Sequence, residues 1–428
     1  MRELQSDIMI LGAGAAGFGA CHQFTKAGLS VAIADRNPGY GGTAVYSGVS
    51  CWEPGVSRSG VHEVLARRLL KKENAQVQKT VPSGRIVGSD STEWVSPRFP
   101  WGLSMDADEP YENSLRRCQQ FCKSSVDFRR FMTEGQALSK EMSTLMRENS
   151  GICSELFGYS YVSCETEGNQ VTSVTISNMQ ETVKIRARHF LDCTGSIVLT
   201  RDAGCEYAIG DDSGALSGIN GATVVFRVSK NPQTEPLIIK DYPDPMNWEQ
   251  DRLPHVVSCF NLYPNGDINV NMLPTMTGEE LIQFGTQAWQ IGCSRVKKYW
   301  NRMQSEFGLA DYEIVEVFEL GIREDYRLIG RHVLDIPEIL EGKTEGEQVI
   351  AIADHPMDLH GVKGFRIGEL EIPYGIPFDC CRPREYDNLF VVCRGASFTH
   401  AAASSARLTR TMMSMGEGAA QKIMELIR

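Results

Sequence analysis

Two short, unbroken apolar runs flank a stretch of small residues at the start of the chain. Asp7–Leu11 (DIMIL) reads as a buried strand, since a parallel strand covered on both faces shows no polar alternation. Ala15–Ala27 then takes helical spacing with many small residues, and Gly28 ends it as a C-cap. Leu29–Ala34 (LSVAIA) is a second apolar strand that finishes on Asp35, so the first 36 residues predict one βαβ unit. Further on, Val61–Asn74 has the spacing of an amphipathic helix. Val81–Pro110, rich in Ser and Pro, predicts an irregular excursion, and Asn113–Asn149 predicts two helical stretches broken near Gly135. Leu156–Thr166, Val171–Ile176 and Val183–Ala187 alternate as in a small antiparallel sheet, and His189–Ser196 reads as a separate buried strand entering a turn. The pattern changes at about residue 221. Thr223–Val228, His255–Tyr263, Ile268–Met272 and Tyr312–Leu320 read as strands, Glu279–Phe307 as one long helix, and Ala406–Ile427 as a last helix.

Gly12, Gly14 and Gly17 lie between the first strand and the first helix, in the spacing G-x-G-x-x-G. In a dinucleotide-binding turn the first glycine permits the tight bend and the second lets the backbone approach a pyrophosphate. The third lets helix and strand pack closely, and the helix N-terminus faces the phosphate charge. Ala15 and Ala16 open that helix. An acid is needed about 20 positions further on, at the tip of the second strand, to accept from ribose hydroxyls. Asp35 stands there, followed by Arg36. A purely structural glycine turn is the alternative, and the strand–turn–helix–strand–acid order counts against it.

A length of 428 residues exceeds one hydrophobic core and implies two or three domains. The net charge of −11 leaves no basic excess for displacing counterions, so nucleic acid is not expected as a partner. No run of about 18 apolar residues and no basic-then-apolar leader is present, which predicts a soluble, cytoplasmic chain without a membrane partner. The cysteines include no C-x-x-C pair and no cluster or metal spacing, so reduced thiols and no metal are expected.

Several stretches then fall in the order of one family. "DIMILGAGAAG" with "AIADR" is similar to an FAD ADP-binding motif, and "GYGGTAVYSG", with Gly41, Gly42 and Thr43, resembles the glycine pair that passes under a flavin. "FLDCTGS" resembles a flavoprotein A-T-G strand through Thr194 and Gly195. "GIREDYRLIG" resembles an R-E-x-x-R-x-x-G segment through Arg323, Glu324, Arg327 and Gly330, and "DHPMDLHG" a D-x-H segment through Asp358 and His360. "NLFVVCRGASFTHAAASSARLTRTMMSMGEGAA" resembles a C-terminal flavin motif, with Arg394, Gly395, Ser404, Arg407 and Gly416 as its contacts. On these residues the chain resembles the FAD-dependent oxidoreductases of the two-dinucleotide-binding-domain superfamily, on their heterodisulfide-reductase-like or fumarate-reductase-like branch. It departs where Ala-Gly-Arg is usual and Val392–Cys393–Arg394 stands instead, and it lacks the cluster cysteines.

The resemblance implies an α/β protein with FAD as cofactor. A Rossmann-type FAD-binding domain would be built from discontinuous segments, 1–59, 150–220 and 360–428. An α+β substrate domain over 221–359 would be inserted, with 60–149 as a helical and irregular excursion. It also implies hydride transfer between the flavin and a small polar or anionic molecule. An electron-transfer subunit and a non-catalytic dinucleotide-binding protein are the alternatives. The acceptor and a homo-oligomeric state are left open. His360, Arg323, Arg327 and His400 are the candidate catalytic residues: imidazole suits proton transfer near neutral pH, and guanidinium suits a carboxylate or negative charge on a reduced flavin. Each also has a structural reading, as an ion pair between modules, a fixed turn or a helix cap. Asp358 reads as a turn former.

Overall fold

The computed structural model describes residues 1–52, 60–77, 131–230, 232, 235, 237–253, 257–306, 309–360, 370 and 372–427. The expectations for Val81–Pro110 and for 113–130 lie outside the described residues.

The apolar run at the start becomes the middle of a seven-stranded sheet. Strand Arg2–Leu11 lies between Val31–Asp35 and Thr182–Asp192, parallel to both, and Cys153–Phe157 continues the parallel set beyond Val31–Asp35. Leu389–Val391 also pairs in parallel with Thr182–Asp192. The registers Leu11↔Ala34, Leu11↔Asp192 and Val391↔Asp192 bring the carboxyl ends of these strands to one edge. That edge is where a sheet of this kind leaves a crevice for ligand.

Two local readings change. Val183–Ala187 and the strand expected from His189 are one strand, Thr182–Asp192. Its first half pairs antiparallel with Gln170–Ser177, while its last residues, Phe190 to Asp192, are buried within the parallel set. Alternation in one half and continuous burial in the other made one strand look like two. Leu156–Thr166 is two strands, Cys153–Phe157 and Ser160–Glu167, separated at Gly158, whose φ of +78° suits a glycine turn.

A second sheet, wholly antiparallel, has the order Val257–Leu262, Ile268–Leu273, Thr223–Ser229, Glu313–Gly321. Helix Ala288–Glu306 covers one face, where Val224, Phe226, Val228 and Val270 pack on Val296, Trp300 and Met303. The other face meets the first module: Asn269 Nδ2 donates to the Gly48 carbonyl at 2.9 Å, and Arg227 pairs with Glu134. The helix expected over Glu279–Phe307 is broken into Gly278–Phe284 and Ala288–Glu306, and Gly285 between them has φ +49°. The last helix expected over Ala406–Ile427 is one helix, Thr409–Ile427, and a separate short helix, His400–Ala406, precedes it. The whole is an α/β fold in which a Rossmann-type module, assembled from separated segments, holds an inserted α+β module. Among the described residues no helix is long and apolar enough to cross a membrane.

Small residues let Thr409–Ile427 lie against Ala15–Lys26. A Cβ added at Gly19 would sit 2.3 Å from the Met413 carbonyl oxygen, and one at Gly416 would sit 2.1 Å from that of Ala16. Both obstacles are backbone, so neither helix can yield by turning a side chain. Gly19→Ala is expected to lower stability by about 1–3 kcal/mol through overpacking, measured as an earlier midpoint in urea unfolding of the FAD-loaded protein.

Candidate cofactor and active site

Each glycine of the first turn sits in a different steric setting. Gly12 has φ +102°, and a Cβ there would meet the Cys193 carbonyl oxygen at 2.5 Å. A Cβ at Gly17 would lie 1.9 Å from the Gly12 carbonyl oxygen. At Gly14 the nearest atom among the described residues is Gly42 Cα, 3.9 Å away, so their packing does not demand this glycine. Gly14 is also the N-cap of helix Ala15–Lys26 and offers no capping side chain. The N–H groups of Ala15, Ala16 and Gly17 therefore begin the helix without an intrahelical acceptor. The Gly41–Gly42 turn leans on this loop: Gly41 N–H donates to the Ala13 carbonyl at 3.0 Å, and Gly42, with φ +51°, has room only for hydrogen toward Gly14 Cα. Thr43 follows in the short Gly42–Ala44 turn of helix.

Asp35 ties the loop to the second strand. Its Oδ2 accepts from Ala13 N–H at 2.7 Å and its Oδ1 from Asn37 N–H at 2.8 Å. Burial still pushes its carboxyl above the usual range. Arg36 turns outward to an exposed ion pair with Glu319 at 3.3 Å.

At the end of the neighbouring strand, the buried Asp192 accepts from Thr194 Oγ1 at 2.7 Å and from Thr200 N–H and Oγ1, both at 2.9 Å. Gly195 has φ +78°, and its missing Cβ leaves room for the Arg394 guanidinium, whose nitrogen would otherwise lie 2.6 Å away. Arg394 Nε is buried and makes no hydrogen bond, and the residue has no ion pair among the described residues. Burial pulls its pKa below the usual value. A buried N–H of a cation left without an acceptor is costly unless an anion or oxygen-rich ligand meets it. Gly395 packs under the Tyr326 carbonyl, 2.9 Å from its would-be Cβ.

The second cluster joins residues from four separate segments. Asp358 Oδ2 lies 2.6 Å from His360 Nε2. Burial pulls the His360 imidazole down to about 4, outweighing the opposing pull of Asp358, with Arg323 and Arg407 adding to the fall. Burial alone would raise Asp358, but the neighbouring His360 and Arg407 hold it well below the usual carboxylate range. Near neutral pH this pair is a carboxylate and a neutral ring, so Nε2–H donates to Asp358 and Nδ1 keeps its lone pair. Arg323 donates to the Gly221 carbonyl at 2.9 Å and to Thr223 Oγ1 at 2.6 Å. Glu324 is buried with both oxygens engaged: Oε1 meets Arg327 and, at 2.8 Å, His400 Nδ1, while Oε2 accepts from Asn220 N–H at 2.9 Å. Ser404 Oγ accepts from Asp358 N–H at 3.1 Å, and Arg407 reaches the Asp358 carbonyl at 3.4 Å.

The sequence profile of the family described as "FAD dependent oxidoreductase" matches residues 7–423. The chain belongs to this family. FAD is its cofactor, and it is a flavoenzyme. No curated protein matches the chain. Among solved structures, L-amino acid deaminase from Proteus myxofaciens in complex with anthranilate aligns at 11% identity over 98% of this chain and 90% of its own, with a TM-score of 0.48. A geranylgeranyl bacteriochlorophyll reductase-like protein from Thermoplasma acidophilum aligns at 12% over 99% and 83%, with a TM-score of 0.44. The myxobacterial chondrochloren halogenase CndH, a variant of FAD-dependent halogenases, aligns at 12% over 93% and 71%, with a TM-score of 0.43. Likenesses this distant carry no argument about substrate.

The residues of this FAD-dependent oxidoreductase suit the cofactor. An open glycine at a helix start, a second glycine turn above it and a half-buried guanidinium whose buried Nε has no acceptor among the described residues all lie at the carboxyl edge of the parallel sheet. Other candidates have protein partners. Gly416 serves helix packing against Ala16, and Arg36 is exposed and paired with Glu319. The four candidate catalytic residues come together with Asp358, Ser404 and Arg407. Two positions were underread. Asp358, read as a turn former, holds His360, and Asn220, which no motif contains, bridges the cluster. His400 heads its helix, but Thr399 supplies the cap, so the imidazole is left to Glu324. Arg327 also donates to the Phe398 carbonyl, so both ends of its guanidinium are engaged. Arg327→Ala is expected to lower stability by about 3–5 kcal/mol, because it removes one partner of a buried pair. Denaturant unfolding measures it.

Proposed function

We propose that the chain transfers a hydride between FAD and a small polar or anionic organic molecule. His360 would act as the proton-transfer group, and the 221–359 segment would cover the site. The observation that carries this reading is the single hydrogen-bonded cluster formed by Arg323, Glu324, Arg327, His360, Asp358 and His400. It lies where the second sheet rejoins the first module, since Gly221 N–H donates to the His360 carbonyl and Thr223 opens a strand of that sheet.

Bound FAD supplies the two-electron acceptor or donor. The glycine turn and the N–H groups of Ala15, Ala16 and Gly17 would hold its pyrophosphate, and Arg394 would face an oxygen or negative charge of the cofactor. Asp35, already bonded to Ala13 and Asn37, keeps lone pairs for a ribose hydroxyl. Asp358 holds the His360 ring so that Nδ1 can take a proton as the substrate is oxidised, or give one up in the reverse direction. Arg323 supplies fixed positive charge beside His360 for a carboxylate or a developing anion. Positive charge beside a proton-transfer group suits the fumarate-reductase-like branch, and the finer assignment rests on that chemistry. The test is anaerobic mixing of the FAD-loaded protein with 2-hydroxy acids, 2-amino acids and small amines. The chemically reduced protein is mixed with unsaturated carboxylic acids. Flavin bleaching or recovery with one class supports the reading, and no response to any of them overturns the proposed substrate class.

A further inference from the structure

We propose that Asn220 is the positioning residue that couples the two histidine–carboxylate pairs, His360–Asp358 and His400–Glu324, into one unit. The role of His360 in turnover rests on the reading above; the coupling concerns the resting protein.

Asn220 is 1% exposed, and three of its polar groups are committed. Its backbone N–H donates to Glu324 Oε2 at 2.9 Å. Its side-chain Nδ2 donates to the Asp358 carbonyl at 3.1 Å, and its Oδ1 accepts from His360 N–H at 2.9 Å. Gly221 N–H adds a bond to the His360 carbonyl at 2.7 Å. The backbone of 358–360 is thereby held at three points by two consecutive residues, which fixes where the imidazole leaves the chain. Glu324, on the other side of Asn220, is the carboxylate that His400 and Arg327 share. The route from the His400 imidazole runs through Glu324 and Asn220 to the backbone N–H of His360, with a hydrogen bond at each step.

The chemistry of this position narrows the residue type. Bridging a backbone carbonyl and a backbone N–H needs a donor and an acceptor on one short planar group, which is a primary amide. Aspartate would lose the donor and bring a third carboxylate close to Asp358 and Glu324. The charged groups that face His360 are Asp358 from its own segment and Arg323 and Arg407 from the two packed against it, with His355 beyond Asp358. Of these, Arg407 also reaches the Asp358 carbonyl, at 3.4 Å, while Asn220 and Gly221 hold the backbone of His360 itself.

The test reads the ring itself. With nitrogen-15-labelled histidine in the FAD-loaded full chain at pH 7.5, the imidazole shifts of His360, assigned by their loss in His360→Gln, report which nitrogen carries the proton. The wild type is expected to show the Nε2–H form bonded to Asp358. Asn220→Ala should raise the ratio of Nδ1–H to Nε2–H roughly tenfold. Glu324→Gln should raise it less, and should add nothing in the Asn220→Ala background. An unchanged tautomer ratio in Asn220→Ala overturns the proposal, as does an equal Glu324→Gln effect in both backgrounds. Should Asn220→Ala fail to retain FAD, Asn220→Asp is used: it keeps an acceptor for His360 N–H but cannot donate to the Asp358 carbonyl, and the same loss of the Nε2–H form is required. No substrate enters the measurement. A wrong choice of proton-transfer group would therefore show in turnover and leave the tautomer result standing.

Discussion

Gly14→Val is expected to give a folded protein that no longer holds FAD. The turn contains three glycines with three different roles, and only one of them can be changed without touching protein. A side chain at Gly12 meets the Cys193 carbonyl and one at Gly17 meets the Gly12 carbonyl, so substitutions there disturb the βαβ unit itself. At Gly14 the nearest protein atom is 3.9 Å away and the backbone is extended, a conformation that valine adopts freely. The added methyl groups would occupy the approach to the first helical N–H groups, where the proposed site takes the pyrophosphate. The measurement pairs the 450 nm absorbance of the purified protein, with saturating FAD added, against its circular dichroism. A flavin-free protein with native dichroism is the expected result; retention of flavin would place the pyrophosphate elsewhere.

His360→Ala is expected to slow flavin reduction by roughly a hundredfold or more while leaving FAD bound, as loss of a general base does. The wild-type rate should also depend on pH in a particular direction. A base works in its neutral form, and burial holds His360 near a pKa of about 4, against an ordinary histidine value of about 6.5. The rate of reduction should therefore stay flat from about pH 8 down to about pH 5.5 and fall only as pH approaches 4. Stopped-flow reduction with a responsive substrate checks both. If His360→Ala is reduced at the wild-type rate, the proton goes elsewhere, and His400, held by Glu324, is the next group to replace.

Most of the cofactor region was legible in the sequence because its requirements are local. The turn, helix and acid are contiguous within 36 residues, and of the glycine contacts that close the turn, Gly17 on Gly12 is local and only Gly12 on Cys193 reaches further along the chain. The candidate active-site cluster was legible only in its charged members. Arg323, Arg327, His360 and His400 stand out by residue type, whereas Asn220 sits in "SGINGAT", where nothing in period or charge marks it. Its role comes from a carboxylate 104 positions away and backbone groups 138 and 140 positions away, and pairing at that distance leaves no local trace. Asp358 misled for a related reason: a short acid next to a turn has an adequate local explanation, and its bond to His360 is not visible until the turn closes. Thr182–Asp192 failed by period, since its two halves face different surroundings and its pattern changes in the middle.

The packing of Ala15–Lys26 on Thr409–Ile427 also bears on how the chain is made. The first helix leaves the ribosome nearly 400 residues before its partner, an interval of roughly 20–80 seconds at ordinary elongation rates of about 5–20 residues per second. Until then the surface around Gly19, shaped to receive a backbone rather than a side chain, has nothing to close it. Leu389–Val391, which joins the Thr182–Asp192 strand, arrives almost as late. The dinucleotide turn can form early, but the module that presents it cannot be completed until Thr409–Ile427 has been made. Newly made chains should therefore depend on a holding chaperone, and on early flavin capture, far more than the finished enzyme does.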